Sequence, residues 1–279
     1  MGVRVAVIGH VEWVTHCRGP VPQVGQIAHL ADAFDEPAGG GGVTAVEVAR
    51  LGPECRFFTA LSTDGFGEVS AEVFAERGVR VLAAVRDEPQ PRALAVVDPS
   101  GERTILVTGG RLAPTMDDPL PWRELSRCDA VFFSGEDPRT IVAGRAARHL
   151  VVAARRLASL VESGVRADVL VASGTDEAER VDVDALPVKP RAVVITEGSR
   201  GGRILVGGEE RRFEPAPVPG PVVDAYGAGD SFAAGLTVGL ARGLPLDEAA
   251  ALAARCGAAA LTGRGGLSQR PDPPGAAIR

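Results

Sequence analysis

Lysine is almost missing from this chain. Lys189 is the single lysine among 30 cationic residues, and Val188 rather than glycine precedes it. No G-x-x-x-x-G-K-[ST] phosphate loop can therefore exist, and any side-chain cation that meets an anion is an arginine. Aromatic residues make up only 4 %, so the core must be built from Ala, Val and Leu. The four cysteines (Cys17, Cys55, Cys128, Cys256) are far apart, with no C-x-x-C pair. They read as buried, reduced thiols of a cytoplasmic protein. No G-x-S-x-G and no H-E-x-x-H occurs, which removes the usual serine-hydrolase elbow and the common zinc-protease site. His10-x-Glu12 has no P-C-x-x-C to complete a zinc-deaminase signature. No apolar run is long enough to span a membrane, and no signal-like segment precedes Val3–Ile8, so no membrane partner is expected. The net charge of −6, without a basic stripe, argues against nucleic acid as a partner.

What is present fits one α/β domain over residues 1–279, 45 % of them hydrophobic. Short apolar runs bounded by glycine alternate with helical stretches: Val3–Ile8, Arg56–Leu61, Val79–Val85, Ala130–Phe133, Leu150–Ala153, Asp168–Ala172 and Ala192–Thr196. This is the rhythm of a largely parallel sheet. Two segments break it. Residues 11–36 carry Pro20, Pro22 and Gly25, and residues 90–108 read as a hairpin around Asp98-Pro-Ser-Gly101. Paired, they would form a small sheet apart from the main one. Gly39–Gly42 opens a helix ending near Gly52 and holds a loose Gly40-x-Gly42-x-x-Ala45. A dinucleotide fingerprint would follow the first strand directly and be followed by an acid ending the second, and neither holds here.

The most informative stretch is Pro221-Val-Val-Asp224-Ala-Tyr-Gly227-Ala-Gly229-Asp230-Ser-Phe-Ala-Ala-Gly235. Small residues in a turn leave backbone N–H groups uncovered, and a helix start adds unpaired donors and a partial positive charge. Together they make a seat for an anion, most often phosphate. Asp230 sits at its lip, either as a base for an attacking hydroxyl or as a cap on the helix. Thr196-Glu-Gly198-Ser-Arg-Gly201-Gly202 follows a strand and is either a turn lying against a nucleotide or an ordinary hairpin turn.

The order of these parts resembles the ribokinase-like (PfkB-type) carbohydrate kinase family over nearly the whole chain, from Val3 to about Gly266. The resemblance rests on the Gly-rich helix start ending Ala49-Arg-Leu-Gly52, the paired β excursions, T-x-G-x-x-G at 196–201 and D-x-x-G-A-G-D at 224–230. It implies a three-layer sandwich with a mostly parallel central sheet and a small β lid. It also implies transfer of the ATP γ-phosphoryl group to a hydroxyl of a sugar or sugar acid. By this likeness Asp230 is the catalytic base, and the backbone of Gly227, Ala228 and Gly229 is the anion hole. Thr196, Gly198 and Gly201 lie on the nucleotide side. Glu177 is the acid near Mg²⁺ and the phosphates, and Asp224 lies near the substrate and a possible K⁺ site.

The departures concern the acceptor. Where the family has Asn-x-Asp after the first strand, this chain has Glu12 and Val14, and the Lys and Asn of the helix start are Gly40 and Val43. Ala225 follows the first acid, and Gly174 stands three before Glu177. The candidate acceptor contacts are Glu12, Gly40, Gly41, Arg103 and Glu136, with Trp13 available to stack on a ring. Two alternatives stay open: a nucleoside kinase, and a non-catalytic sugar- or nucleotide-binding protein on a kinase fold. A lid of exposed strands tends to cover itself with a second copy, so a homodimer through residues 11–36 and 90–108 is expected.

Overall fold

The computed structural model describes residues 2–98 and 102–268; three of the four residues of the expected hairpin turn, 99–101, lie outside them. Thirteen strands and six α-helices are seen among the described residues. The strands form two sheets. In the larger, seven strands run parallel in the order β5 (Val79–Arg86), β4 (Glu54–Ser62), β1 (Arg4–Ile8), β8 (Ala130–Phe133), β9 (His149–Ala153), β10 (Val169–Ser173) and β11 (Ala192–Thr196). The antiparallel β12 (Gly202–Val206) and β13 (Glu209–Phe213) complete it.

The parallel strands are apolar on both faces because helices cover both. Along β1, Val5 and Val7 enter one buried cluster and Ala6 and Ile8 the other. The first cluster lies under α1 (Gly39–Arg50), α2 (Gly65–Glu76), α5 (Ala228–Ala241) and α6 (Leu246–Ala260). The second lies under α3 (Pro138–Gly144) and α4 (Leu157–Ser163). The result is the three-layer sandwich expected from the sequence. Helix α5 is buried on every side from Ser231 to Ala241, as its apolar sequence requires. Its glycines set its distance from α6: a Cβ on Gly235 or Gly239 would stand 2.8 Å from Ala253 or Ala249.

The smaller sheet has the order β3 (Ala31–Ala38), β2 (Glu12–Arg18), β6 (Arg92–Val97), β7 (Arg103–Thr108). The two sequence excursions do pair, through parallel β2 and β6. Alternation along β2 buries Glu12, Val14 and His16 and half-exposes Trp13 and Thr15. Trp13 packs against Phe66 of α2, with ring centroids 5.1 Å apart and the planes tilted by 44°.

Candidate active site

In open α/β sheets, ligands bind beyond the carboxyl ends of the parallel strands, where the strand order reverses. Here the order reverses at β1, with β4 on one side and β8 on the other. Segments leaving the carboxyl ends of β1, β8, β9, β10 and β11 bring in His10, Glu136, Arg156, Glu179 and Gly198 respectively. Helix α5 packs below this edge against β1, β8 and β9.

The start of α5 is made by backbone conformation. Gly227 is its N-cap, left-handed at φ 74°, where a side chain would be strained. No side chain caps the helix, so Asp230, in its first turn, is not a cap. Within the turn, Ala228 N donates to Ala225 O at 3.4 Å and Ser231 N donates to Gly227 O at 2.8 Å.

Asp230 is half-buried against the start of α1. Its Oδ1 lies 3.1 Å from the point where a Cβ on Gly40 would stand, and His10 Cε1 lies 3.9 Å from the same point. Thr44 ties the two helix starts together, with its hydroxyl 2.7 Å from Gly40 O and 3.5 Å from Asp230 O. Burial pushes the Asp230 carboxyl up to about 6; Arg103 on the lid opposes this, and the charges of Glu179 and Glu12 add to it. Such a group is ionised at neutral pH and still basic enough to take a proton.

On the acceptor side, Glu12 is buried and faces His10, with His10 Nε2 3.6 Å from Glu12 Oε1. Burial alone would raise the Glu12 carboxyl, but the His10 hydrogen bond and the charges of Arg111 and Arg156 hold it below its usual range. Burial lowers His10, which is neutral at pH 7. Glu136 is half-exposed and accepts from Arg111 at 3.0 Å and Arg156 at 3.4 Å.

Two expected acceptor contacts also have roles within the fold. Gly41 is buried, and a Cβ there would stand 2.8 Å from the backbone of Gly9 and His10, so close packing requires glycine. Asp224 is 3 % exposed, and its carboxylate accepts from Tyr226 N at 2.8 Å and Gly265 N at 3.0 Å. It holds the turn before α5 against the segment after α6.

On the nucleotide side, Thr196 ends β11 and its hydroxyl donates to Ala172 O at 3.4 Å. Residues 197–201 do connect two antiparallel strands, as a hairpin turn would, and they sit on the ligand edge of the sheet. Gly198 and Gly201 have φ of 61° and 76°, and a Cβ on Gly201 would collide with Phe213 O. Glu177 opens the short 3₁₀ turn after β10. Its side chain is 85 % exposed and pairs with Arg180, whereas Glu179, two residues on, is the acid whose charge reaches Asp230. Glu179 is held by Ser173 N at 2.8 Å and Arg155 at 2.8 Å. Glu179 was within sight in the acidic run 176–179, and burial alone distinguishes it. His10, Arg111 and Arg156 had no motif to reveal them. Among the described residues no cluster of three or more His, Cys, Asp or Glu could cage a metal, and no helix is long and apolar enough to cross a membrane.

The profile of the pfkB family carbohydrate kinases matches residues 3–159 and 167–273. A fructokinase of Escherichia coli is 28 % identical over 276 residues, covering 84 % of this chain and 89 % of that protein. An aminoimidazole riboside kinase of Salmonella typhimurium is 28 % identical over 278 residues, covering 85 % of each. Among solved structures, an Arabidopsis thaliana ribokinase complexed with ribose and ATP superposes with a TM-score of 0.78 at 19 % identity, over 99 % of this chain and 98 % of that one.

Proposed function

The chain belongs to the pfkB family of carbohydrate kinases, and from that premise we propose that it transfers the γ-phosphoryl group of ATP to a sugar-type hydroxyl with Asp230 as the base. One observation carries this: a carboxyl raised to about 6 stands beside Gly40 in the first turn of a helix whose start is bare backbone. The acceptor hydroxyl gives its proton to the Asp230 carboxylate as its oxygen attacks the γ-phosphorus. The bond to the β,γ-bridging oxygen breaks, and ADP leaves with that electron pair. Charge on the transferred group meets the α5 N-terminus and the backbone of residues 227–229. The turn at Thr196, Gly198 and Gly201 lies along the nucleotide.

Mg²⁺ fits as an ion bound mainly by phosphates and water, with Glu179 as the nearby acid; when bound it would neutralise phosphate charge. A caged protein metal site is not needed for that role. No step is assigned to K⁺. Four buried free cysteines suit the cytoplasm, where ATP is supplied. The edge strand β7 exposes Ile105, Leu106 and Val107, and we assign this edge to a homodimer formed through the lids. A monomer in sedimentation at micromolar concentration would refute that.

A nucleoside acceptor is the second reading, motivated by the riboside kinase relative. Against it, Trp13, the aromatic available to stack on a base, already packs against Phe66. The test is ADP release with a panel of sugars, sugar acids and nucleosides, in wild type and Asp230→Asn. A sugar-type acceptor should turn over and Asp230→Asn should abolish it. Near-wild-type activity of that variant would overturn the mechanism. A sugar that raises the melting temperature without any turnover would favour a binding protein on a kinase fold.

A further inference from the structure

The acceptor side holds two arginines that phosphoryl transfer does not require. Arg111 follows the lid strand β7, and Arg156 follows β9. Their guanidinium groups converge on one oxygen, Glu136 Oε1, at 3.0 and 3.4 Å. One carboxylate thus accepts from both guanidinium groups, and that carboxylate is 46 % exposed. Arg156 is not a surface group: its side chain is 13 % exposed and its Nε donates to Ser134 O at 3.0 Å. Burial and the neighbouring Arg111 push its guanidinium down to about 10, against the charges of Glu136 and Glu12. Both charges reach His10 and Glu12, so the pair stands on the acceptor side.

Two further groups there are unsatisfied. Ser134 Oγ and His10 Nδ1 are buried without a hydrogen-bond partner among the described residues. Buried polar groups are nearly always paired, and such orphans point to a ligand or ordered water. Arg111 also lines an open cavity of about 530 Å³ at the root of the lid, together with Gln90, Arg92 and Thr108.

Building on the kinase reading above, we propose that the acceptor carries an anionic group, a carboxylate or a phosphate, which Arg111 and Arg156 bind. Two guanidinium forks suit either oxyanion, whereas a neutral sugar would leave both underused. Glu136 orients the two forks while the acceptor is absent, and Glu12 with neutral His10 is left for hydroxyls.

The test compares kcat/KM, with ATP, for neutral sugars, the corresponding aldonic and ketoaldonic acids, and sugar monophosphates, in wild type and Arg111→Gln. Arg111 is used because it is 34 % exposed and its loss should not unfold the chain. Wild type should prefer one acidic class over its neutral analogue, and whether carboxylate or phosphate wins identifies the group. Arg111→Gln should cut that preference by roughly 10- to 100-fold, mainly through KM. Preference for a neutral sugar, or a preference ratio unmoved by Arg111→Gln, overturns the proposal. If nothing turns over, the kinase reading fails while the anion site is still judged by binding. A sugar acid or sugar phosphate, added without ATP, should raise the melting temperature of wild type and raise it less in Arg111→Gln. Equal shifts, or none, overturn it.

Discussion

The two halves of the site are made of different material. The transfer half is backbone: a left-handed glycine, a helix end and one carboxyl from a single stretch of seven residues, 224–230. The acceptor half is side chain: His10, Glu12, Arg111, Glu136 and Arg156 come from segments spread over nearly 150 positions, and several are buried ion-pair partners. A phosphate presents the same oxygens in every ATP, so a fixed backbone cradle serves it. Acceptors differ from one another, and only side chains can be exchanged to meet them without altering the fold. The transfer half should therefore fail almost completely when one atom is changed, and the acceptor half should fail by degrees.

The largest expected effect follows from Asp230→Asn. Loss of a general base costs roughly 10²- to 10⁴-fold in turnover, read as ADP release with the best acceptor. Stability should move the other way. The folded protein holds this carboxyl at about 6, above its ordinary 3.8, so it binds the proton more tightly than the unfolded chain. That makes folding less favourable as pH rises from about 4 through 6, and Asp230→Asn removes the penalty. Its melting temperature should equal or exceed that of wild type at pH 7.5, with the difference shrinking at pH 4. A variant that is inactive because it is unfolded would refute this account.

Gly40→Ala separates position from charge. The new methyl carbon would stand 3.1 Å from Asp230 Oδ1, so the carboxyl must give way by a few tenths of an ångström. Misplacing a reacting group by about 1 Å can cost 10²-fold, so a loss of roughly ten-fold in kcat is expected for this smaller shift. Alanine in the first turn of α1 also favours the helix, so stability should hold or rise by about 0.5 kcal/mol. Lower activity together with higher stability is the signature to look for.

Glu179→Gln against Glu177→Gln is a smaller contrast. Removing the Glu179 charge should raise the Mg²⁺ concentration needed for half-maximal rate several-fold. Glu177, out in solvent beside Arg180, should change neither rate nor stability beyond about 0.5 kcal/mol. Equal effects from the two variants would return the role to Glu177.

The same division explains what was legible in the sequence. The parallel strands, both lid segments and the Gly227–Asp230 turn could be read because each is written in contiguous residues with a period or a turn requirement. Val5 and Val7 against Ala6 and Ile8 already mark a strand buried on two faces. Glu177 comes from the resemblance, whereas the charge of Glu179 on Asp230 depends on the turn after β10, which the acidic run 176–179 does not reveal. The packing of Gly41 against Gly9 and the N–H groups that Asp224 accepts are likewise tertiary and leave no local mark. Arg111 and Arg156 are two of 29 arginines. Nothing local marks them, because their meeting depends on the lid folding back over β8.

The smallest predicted effect probes the one point where the two halves touch. Arg103 belongs to the lid strand β7, yet its charge is the strongest influence holding the Asp230 carboxyl down against burial. With Asp230 as the base, kcat/KM should rise with pH and level off above about 6, since only the ionised form accepts the proton. Arg103→Gln removes the stronger of two opposing cations and leaves burial, Glu179 and Glu12, which raise the carboxyl, against Arg155 alone. The midpoint of the profile should therefore move to higher pH by a fraction of a unit, while the plateau rate changes little. A midpoint that stays in place would mean that the lid supplies acceptor contacts alone and that the base is tuned entirely from the core. A shift toward lower pH would contradict the electrostatics of the site outright, because removing a cation cannot favour the ionised acid.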